Sequence, residues 1–242
     1  MKTIKARGLV IREFEAGESD KRLLLLCKNH GRILAYARGA RKPKSKFMAA
    51  AQLFTYADFV LAQGKGFYSV TQAEVIESFY NLRTDYDRLC AAHLIAEVCE
   101  KSLWDSSNCD DLLLLALKSF SNLAKEKFPP VQVVGVFFAR FFDYYGLRPQ
   151  VEACAVCGLG LEEMPVIFFG GEGVLCENHS HGGIGVSRAA AAALLYILNS
   201  GLAEAFRFNA LPAVLLELLQ VAKLLWDVHF ERELKTPLDF QL

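Results

Sequence analysis

Apolar and polar residues alternate in short runs through the first 80 residues, and from Leu82 onward the apolar positions recur at three- and four-residue spacing. The first pattern is the period of half-buried strands and the second that of amphipathic helices. Five strands are predicted, at Thr3 to Phe14, Arg22 to Cys27, Arg32 to Arg38, Leu53 to Ala62 and Phe67 to Ile76. Three of the connections between them are polar and Gly-bearing, as tight turns require: Ala16-Gly17-Glu18-Ser19-Asp20, Lys28-Asn29-His30-Gly31 and Gln63-Gly64-Lys65-Gly66. Five strands in so short a segment are the inventory of an OB-fold, a small Greek-key barrel that commonly binds oligonucleotides.

In the third strand, alternation puts Ile33, Ala35 and Ala37 on one face and Arg32, Leu34, Tyr36 and Arg38 on the other. The first set is small and apolar, fit for the inside of a narrow barrel. The second combines guanidinium groups with an aromatic ring, the mix that holds phosphates and stacks a base, though Tyr36 equally suits packing against a neighbouring element. The strand runs into Gly39-Ala40-Arg41-Lys42-Pro43-Lys44-Ser45-Lys46-Phe47, where Gly and Pro break regular structure and four cations project from one loop.

Helices are predicted over Asp85 to Leu103, Asp110 to Lys127 and Val131 to Tyr145, with breaks at Ser106-Ser107-Asn108 and Pro129-Pro130. Asn108 or Asp110 suits the cap of the second, and Gly146 the stop of the third. Two more follow, an Ala-rich helix capped by Ser187 and running to about Asn199, and a Leu- and Val-rich one from Pro212 to about Phe230. Phe137, Phe138, Phe141 and Phe142 read as core, as does Leu112 to Leu115, and His93 as a packed histidine without special chemistry.

A second pattern is superposed on the helices: Cys154-Ala155-Val156-Cys157, eighteen residues, then Cys176-Glu177-Asn178-His179. Two residues between the members of a pair is the spacing of a knuckle that brings both onto one tetrahedral zinc, and Val166 to Phe169 with Gly173 to Leu175 can form a hairpin between the pairs. Four protein ligands leave no position for water, so one structural Zn(2+) is expected at Cys154, Cys157, Cys176 and His179. His181 competes for the fourth place, with the spacing in favour of His179; the alternative is a metal-free hairpin of reduced thiols. Cys27, Cys90, Cys99 and Cys109 have no partner spacing. The fold class is therefore α+β multidomain: an N-terminal five-stranded OB-fold β-barrel over residues 1–80, then an α-helical bundle over 81–242 with a zinc-binding hairpin inserted at about 150–182.

Charge sharpens the functional reading. The chain carries 27 basic and 27 acidic residues, but the stretch from Lys21 to Ala57 has nine Lys or Arg and no Asp or Glu. Residues 1–80 hold 14 basic and 7 acidic residues, leaving 13 and 20 for the remainder. Such an acid-free block attracts polyanions and releases their counterions, whereas many basic runs are only solvated faces. The candidate nucleic-acid contacts are Lys28, Arg32, Tyr36, Arg38, Arg41, Lys42, Lys44 and Lys46. A 53% hydrophobic fraction marks a folded chain, no apolar run approaches the ~18 residues of a membrane span, and an odd seven cysteines without an export signal point to a cytoplasmic protein. No activated nucleophile, Gly-rich phosphate loop or His-x-Glu deaminase motif is present, so no enzyme is expected.

The run ESDKRLLLLCKNHGRILAYARGARKPKSKF resembles the N-terminal domain of the bacterial recombination mediator family RecO, above all in Glu18-Ser19-Asp20, His30-Gly31-Arg32 and Ala37-Arg38-Gly39-Ala40-Arg41. The likeness continues through the helices, the Tyr145-Gly146-Leu147-Arg148-Pro149 junction, the cysteine pair and a closing Leu234-Lys235-Thr236-Pro237-Leu238-Asp239-Phe240, where Asp239 replaces a usual basic or neutral residue. The family usually has four cysteines where it keeps zinc; here His179 takes the fourth place. The resemblance implies a non-catalytic, nucleoid-associated DNA repair protein. It would anneal single-stranded DNA, bind RecR and the C-terminal tail of single-strand-binding protein, and help load RecA; double-stranded DNA is open. Arg140 on the Phe-rich helix is the candidate for receiving the tail's carboxylate. The alternative is an RNA-binding OB and zinc protein of the translation apparatus, which charge and aromatics alone would fit as well.

Overall fold

The computed structural model describes residues 2–102 and 109–237, which fall into two compact units, residues 1–125 and 126–242. Within the first, five strands form a closed barrel in the order β1-β2-β3-β5-β4: β1 (Thr3–Ala16), β2 (Asp20–Cys27), β3 (Gly31–Ala37), β4 (Tyr56–Gln63) and β5 (Tyr68–Glu77). β1 is long enough to pair with both β2 and β4, and a register shift between Val10 and Arg12 marks where it bends. β3 alternates as its sequence requires. Ile33, Ala35 and Ala37 are buried in the barrel with Val10, Leu23, Leu25 and Phe59, while Leu34 and Arg38 are exposed.

The closing pair, β3 with β5, is parallel and joined only at Ala35↔Tyr68 and Tyr36↔Ser69. The interior is completed by the segment after β3, whose Ala40, Phe47, Ala50 and Ala51 join the barrel core. Lys21 secures that segment, its Nζ donating to Glu13 Oε2 at 2.7 Å and to the Ala51 carbonyl at 3.1 Å.

The fourth strand begins at Tyr56, later than predicted, because Phe54 adopts a left-handed backbone (φ 67°). That turn drives its ring into contact with His93 and Phe120 at centroid distances of 5.1 and 5.3 Å. The helices responsible are α1 (Tyr86–Ser102) and α2 (Asp110–Ala124), which belong to the same unit as the barrel. His93 is thus packed on one side, and burial moves its pKa below the ordinary imidazole value. α2 starts differently from expectation. Its N-cap is Cys109, without a side-chain cap bond, and Asp110 instead accepts the Asn29 N–H of the β2–β3 turn at 2.8 Å. Leu103 and the break and cap residues Ser106 to Asn108 lie outside the described residues.

In the second unit, α3 (Pro130–Tyr144) is the central element, with every residue from Val131 to Phe142 buried. Pro130 in its first turn fits a position whose N–H has no helical partner anyway. Gly146 ends it, with φ 74° and N–H bonds from Gly146 to Asp143 and from Leu147 to Phe142, the paired closure of a Schellman motif. α3 packs with α4 (Arg188–Asn199) and α5 (Pro212–His229). Ser187 caps α4 as expected, its Oγ accepting the Ala190 N–H at 3.1 Å.

The inserted hairpin consists of β6 (Ile167–Gly170) and β7 (Gly173–Leu175), and a third strand not foreseen, β8 (Ile184–Val186), pairs with the other edge of β6. Asp239 and the rest of the closing motif beyond Pro237 lie outside the described residues. No described helix is long and apolar enough to cross a membrane.

Gly173 has φ 140°, and a Cβ built on it would lie 2.0 Å from the Gln150 carbonyl oxygen, because Gln150 bridges to the hairpin there. Gly173→Ala is therefore expected to destabilise this unit by at least ~3 kcal/mol, since both a strained backbone and a backbone clash must be relieved. Gly146→Ala, with open space around it, should cost only ~1 to 2 kcal/mol. Equal losses for the two variants in thermal unfolding would contradict this account.

Candidate nucleic-acid interface and metal centre

The basic loop is held by the turn between β1 and β2. Asp20 Oδ1 accepts the Gly39 N–H at 2.7 Å, and the Arg41 N–H donates to the Ser19 carbonyl at 2.9 Å. The Gly39 bond keeps the Asp20 carboxyl below its ordinary pKa, with Ser19, Arg38 and Lys42 adding to the effect against burial. These contacts fix the start of the loop, and the buried Ala40 and Phe47 fix its ends. The cations between them face solvent.

The structure divides the eight sequence-predicted residues. The side chains of Arg38, Lys42 and Lys44 are exposed and make no hydrogen bond or ion pair among the described residues. Arg41 pairs with Glu15 at 3.0 Å and donates to the Gly17 carbonyl at 3.3 Å. Lys46 turns toward β5, its Nζ donating to the Thr71 carbonyl at 3.2 Å and standing 4.9 Å over the Phe47 ring. Arg32 reaches toward α1, with Nη1 3.4 Å from the Glu100 carbonyl. Lys28 sits in the β2–β3 turn, at the opposite end of β3 from Arg38.

Tyr36 is half-buried on the outer face of β3 and meets Phe67 edge-on, with ring centroids 5.2 Å apart. Phe67 itself is 39% exposed. Both expectations for Tyr36 are thus compatible with its surroundings: it packs against a neighbour, and the pair together presents aromatic surface beside Arg38. Phe67 was not among the predicted residues. Its position follows from the parallel closure of β3 with β5, which alternation within one strand does not specify.

The second site lies in the inserted hairpin. Ligand atoms of Cys154, Cys157, Cys176 and His179 all lie within 4.8 Å of one another. Cys157 and Cys176 sulfurs are 3.8 Å apart, Cys154 Sγ and His179 Nδ1 3.8 Å, and Cys176 Sγ and His179 Nδ1 3.2 Å. Tetrahedral bonds of ~2.0 to 2.3 Å separate ligand atoms by roughly 3.3 to 3.8 Å, so these four residues fit a metal ion. His179 is the histidine of this cluster; His181 is exposed in the following turn.

Two tight turns create the geometry, with the Gly158 N–H on the Cys154 carbonyl and the His179 N–H on the Cys176 carbonyl, both at 2.9 Å. Burial opposes ionisation of Cys154, but N–H groups of Cys157, Cys176 and Val156 aimed at its sulfur prevail and lower its pKa to about 6. Cys176 moves the other way, raised by burial and by its thiol neighbours. One sulfur of the metal-free cluster is therefore predisposed to carry charge. By contrast, burial pushes Cys27 up to about 12 and Cys109 up to about 11, and it raises Cys99 as well, leaving these thiols inert.

Arg140 is only 7% exposed. Its Nη1 bonds Asp143 at 3.2 Å and the Leu198 carbonyl at 3.3 Å, and its buried Nε has no partner among the described residues. Arg148 bonds the other carboxylate oxygen of Asp143, shares the Leu198 carbonyl and also bonds Asn199, and its side chain is 42% exposed. Arg148 is the solvent-facing cation of this network. Sequence reasoning missed it because it lies in the irregular segment beyond α3.

Metal affinity of the cluster should fall on acidification, because three thiols and an imidazole must shed protons to bind. Without metal, the lowered pKa of Cys154 means the folded chain binds fewer protons than the unfolded chain. That stabilisation is complete above the ordinary thiol value of 9.0 and lost as pH falls through about 6. Unfolding measured across this window in chelator should show the slope, and Cys154→Ser should remove it.

Comparison with known proteins places the chain in a family. Residues 1–79 match the family model for the N-terminal part of recombination protein O, and residues 83–237 the model for its C-terminal part. The chain is 36% identical to the DNA repair protein RecO of Acetivibrio thermocellus over 99% of its own length and 96% of that protein's. It is 35% identical to that of Heliobacterium modesticaldum over 81% and 73%, and 27% identical to that of Syntrophomonas wolfei over 84% and 82%. With a closed five-stranded barrel carrying a basic loop, a Cys3His cluster and these matches across nearly its whole length, the chain belongs to the RecO family of DNA repair proteins.

Proposed function

We propose that this chain is a non-catalytic, cytoplasmic, nucleoid-associated mediator that binds and anneals single-stranded DNA and, with RecR, helps load RecA on DNA coated by single-strand-binding protein. The observation that carries the DNA-binding part is the anchored loop whose Arg38, Lys42 and Lys44 are exposed and unspent, beside the Tyr36–Phe67 pair. Annealing asks only that phosphate repulsion be neutralised while base edges stay free. A cationic loop meets the first requirement. An aromatic pair at one edge can hold a base by its face without reading it, which leaves pairing unhindered.

In this reading Lys28, Arg32 and Lys46 contribute to the field more than to direct contact. The acidic residues beyond 80 keep that part of the chain off DNA and available to protein partners. The carboxylate end of the single-strand-binding protein tail is assigned to the Arg140 network, with Arg148 presenting the exposed guanidinium and Arg140 reinforcing it from behind. The Cys3His cluster holds one structural zinc. Three thiolates and a neutral imidazole would be its four ligands, and the bound ion would supply the free energy that ordering the hairpin costs.

Salt dependence tests the phosphate contacts. Replacing Arg38, Arg41, Lys42 and Lys44 together by Ala should flatten the plot of log affinity against log salt by about 2.8 on single strands, at ~0.7 per phosphate. An unchanged slope in the folded variant would place the binding surface elsewhere. Tyr36→Ala and Phe67→Ala should each weaken single-strand binding by ~1 to 3 kcal/mol if a base stacks on the pair. For the metal, native mass spectrometry should show one zinc per chain, lost in Cys157→Ser, with DNA binding retained in proportion to the folded fraction. A folded, zinc-free variant that no longer binds DNA would overturn the separation of the two sites.

A further inference from the structure

Lys28 lines a groove of about 690 Å3 together with Lys5, Arg7, His30, Asp58, Gln72 and Glu74. The barrel register builds it. Arg7 pairs with Asp58 and Asp58 with Glu74; two residues along, Lys5 pairs with Val60 and Val60 with Gln72. These two rows lie on one outer face of β1, β4 and β5, and the β2–β3 turn overhangs them, tied down by the Lys28 N–H on the Arg7 carbonyl at 2.9 Å. The loop bearing Arg38 begins at the other end of β3, a strand of seven residues spanning roughly 23 Å at ~3.3 Å each.

We infer that this groove holds the phosphate backbone of a second DNA strand while the first occupies the β3 face and its loop. The inference rests on the annealing function proposed above, in which a second hold on the same protein would bring the complement to the bound strand. Three features favour it. The Lys5 and Lys28 ammonium groups make no hydrogen bond or ion pair among the described residues, and the His30 ring lines the same groove, its Nδ1 2.9 Å from the Lys28 carbonyl. Arg7 is held in a two-pronged contact with Asp58 at 2.8 and 2.9 Å, so that acidic group is already neutralised and Glu74 is the remaining carboxylate of the groove.

The third feature is an absence with chemical meaning. The single aromatic carbocycle in the lining, Phe59, is 1% exposed, so beside its cations the groove offers a base only the small imidazole ring of His30. A strand held there keeps its bases free to pair. The small excess of positive charge makes this hold weak and salt-sensitive, as suits a strand that must leave in the duplex.

The test is Lys5→Ala with Lys28→Ala in the full chain, both exposed positions, using a labelled oligonucleotide and its complement. Binding of one strand should lose far less of its salt slope than it does in the four-residue loop variant. Capture of the complement by the preloaded complex should lose about 1.4 from its salt slope, two contacts at ~0.7 each, and annealing should slow on the order of tenfold at about 0.1 M salt. Unaltered annealing by the folded double variant overturns the inference. Equal loss of first-strand binding does so too, because the groove would then be part of one continuous site. Oligoglutamate that binds the parent chain but not the double variant, with annealing intact, would make the groove an acidic-peptide site instead. The underlying reading fails separately: the four-residue loop variant would then keep its one-strand binding. If the loop variant loses that binding while the Lys5, Lys28 variant anneals normally, only the groove assignment falls.

Discussion

The barrel closes on two residue pairs, Ala35↔Tyr68 and Tyr36↔Ser69, and the rest of the molecule's first unit is arranged around the weakness of that seam. So short a parallel contact leaves the interior open unless another segment fills it. The residues after β3 supply the filling with Ala40, Phe47, Ala50 and Ala51. The same residues carry Arg41, Lys42, Lys44 and Lys46 between the buried anchors. A loop that would otherwise be an entropic liability is thereby fixed at both ends, and its charges gain a defined surface. Lys46 shows the double use in one side chain, because its ammonium occupies the carbonyl of Thr71 on β5. Stability of the seam and position of the cations are one problem with one solution.

In the second unit the corresponding constraint is the approach of Gln150 to Gly173, where main chain meets main chain with no room for a Cβ. That approach sets the first ligand pair against the hairpin: Val174 donates to Gln150 and Ala155 donates to Val174, bringing Cys154 beside Cys176. The Cys176 N–H then points at Cys154 Sγ at 3.4 Å and helps stabilise its charged form. Backbone geometry prepares the cluster before any ion is present. Arg188 braces the intervening segment from the start of α4, through the carbonyls of Leu161 and Met164 at 3.0 and 2.7 Å.

Most of this was legible in the sequence where a local rule operated. Alternation identified both faces of β3, Ser187 announced its helix, Gly146 its stop, and the two-residue spacing singled out the four residues that the fold brings together in the cluster. What escaped was set by tertiary context. Phe54 sits in a strand-like run, yet its ring is wanted under the helices and its backbone turns left-handed to put it there. Asp110 has the side chain of a helix cap, but the Asn29 N–H claims it. β8 is three residues long and recognisable only beside β6. The predicted strand between them already put Lys28 and Arg38 at opposite ends, but one dimension could not show that Lys28 shares a groove with Lys5 and Arg7.

That separation bears on how a chain with no net charge can attract a polyanion at all. Beyond a Debye length of about 8 Å at physiological salt, the basic and acidic parts are each largely screened, so overall neutrality matters little to a phosphate at the surface. What matters is the local count of unspent cations. By that measure the loop with Arg38, Lys42 and Lys44 outweighs the groove with Lys5 and Lys28, where Glu74 remains. In the proposed annealing role, two surfaces of unequal strength on one barrel would give an order of events: the stronger would take a strand first, and the weaker would sample others and let them go. A uniformly basic barrel would hold both strands tightly and release neither as duplex. The carboxylates Asp58 and Glu74 amid the cations of the groove are then part of its fitness for exchange.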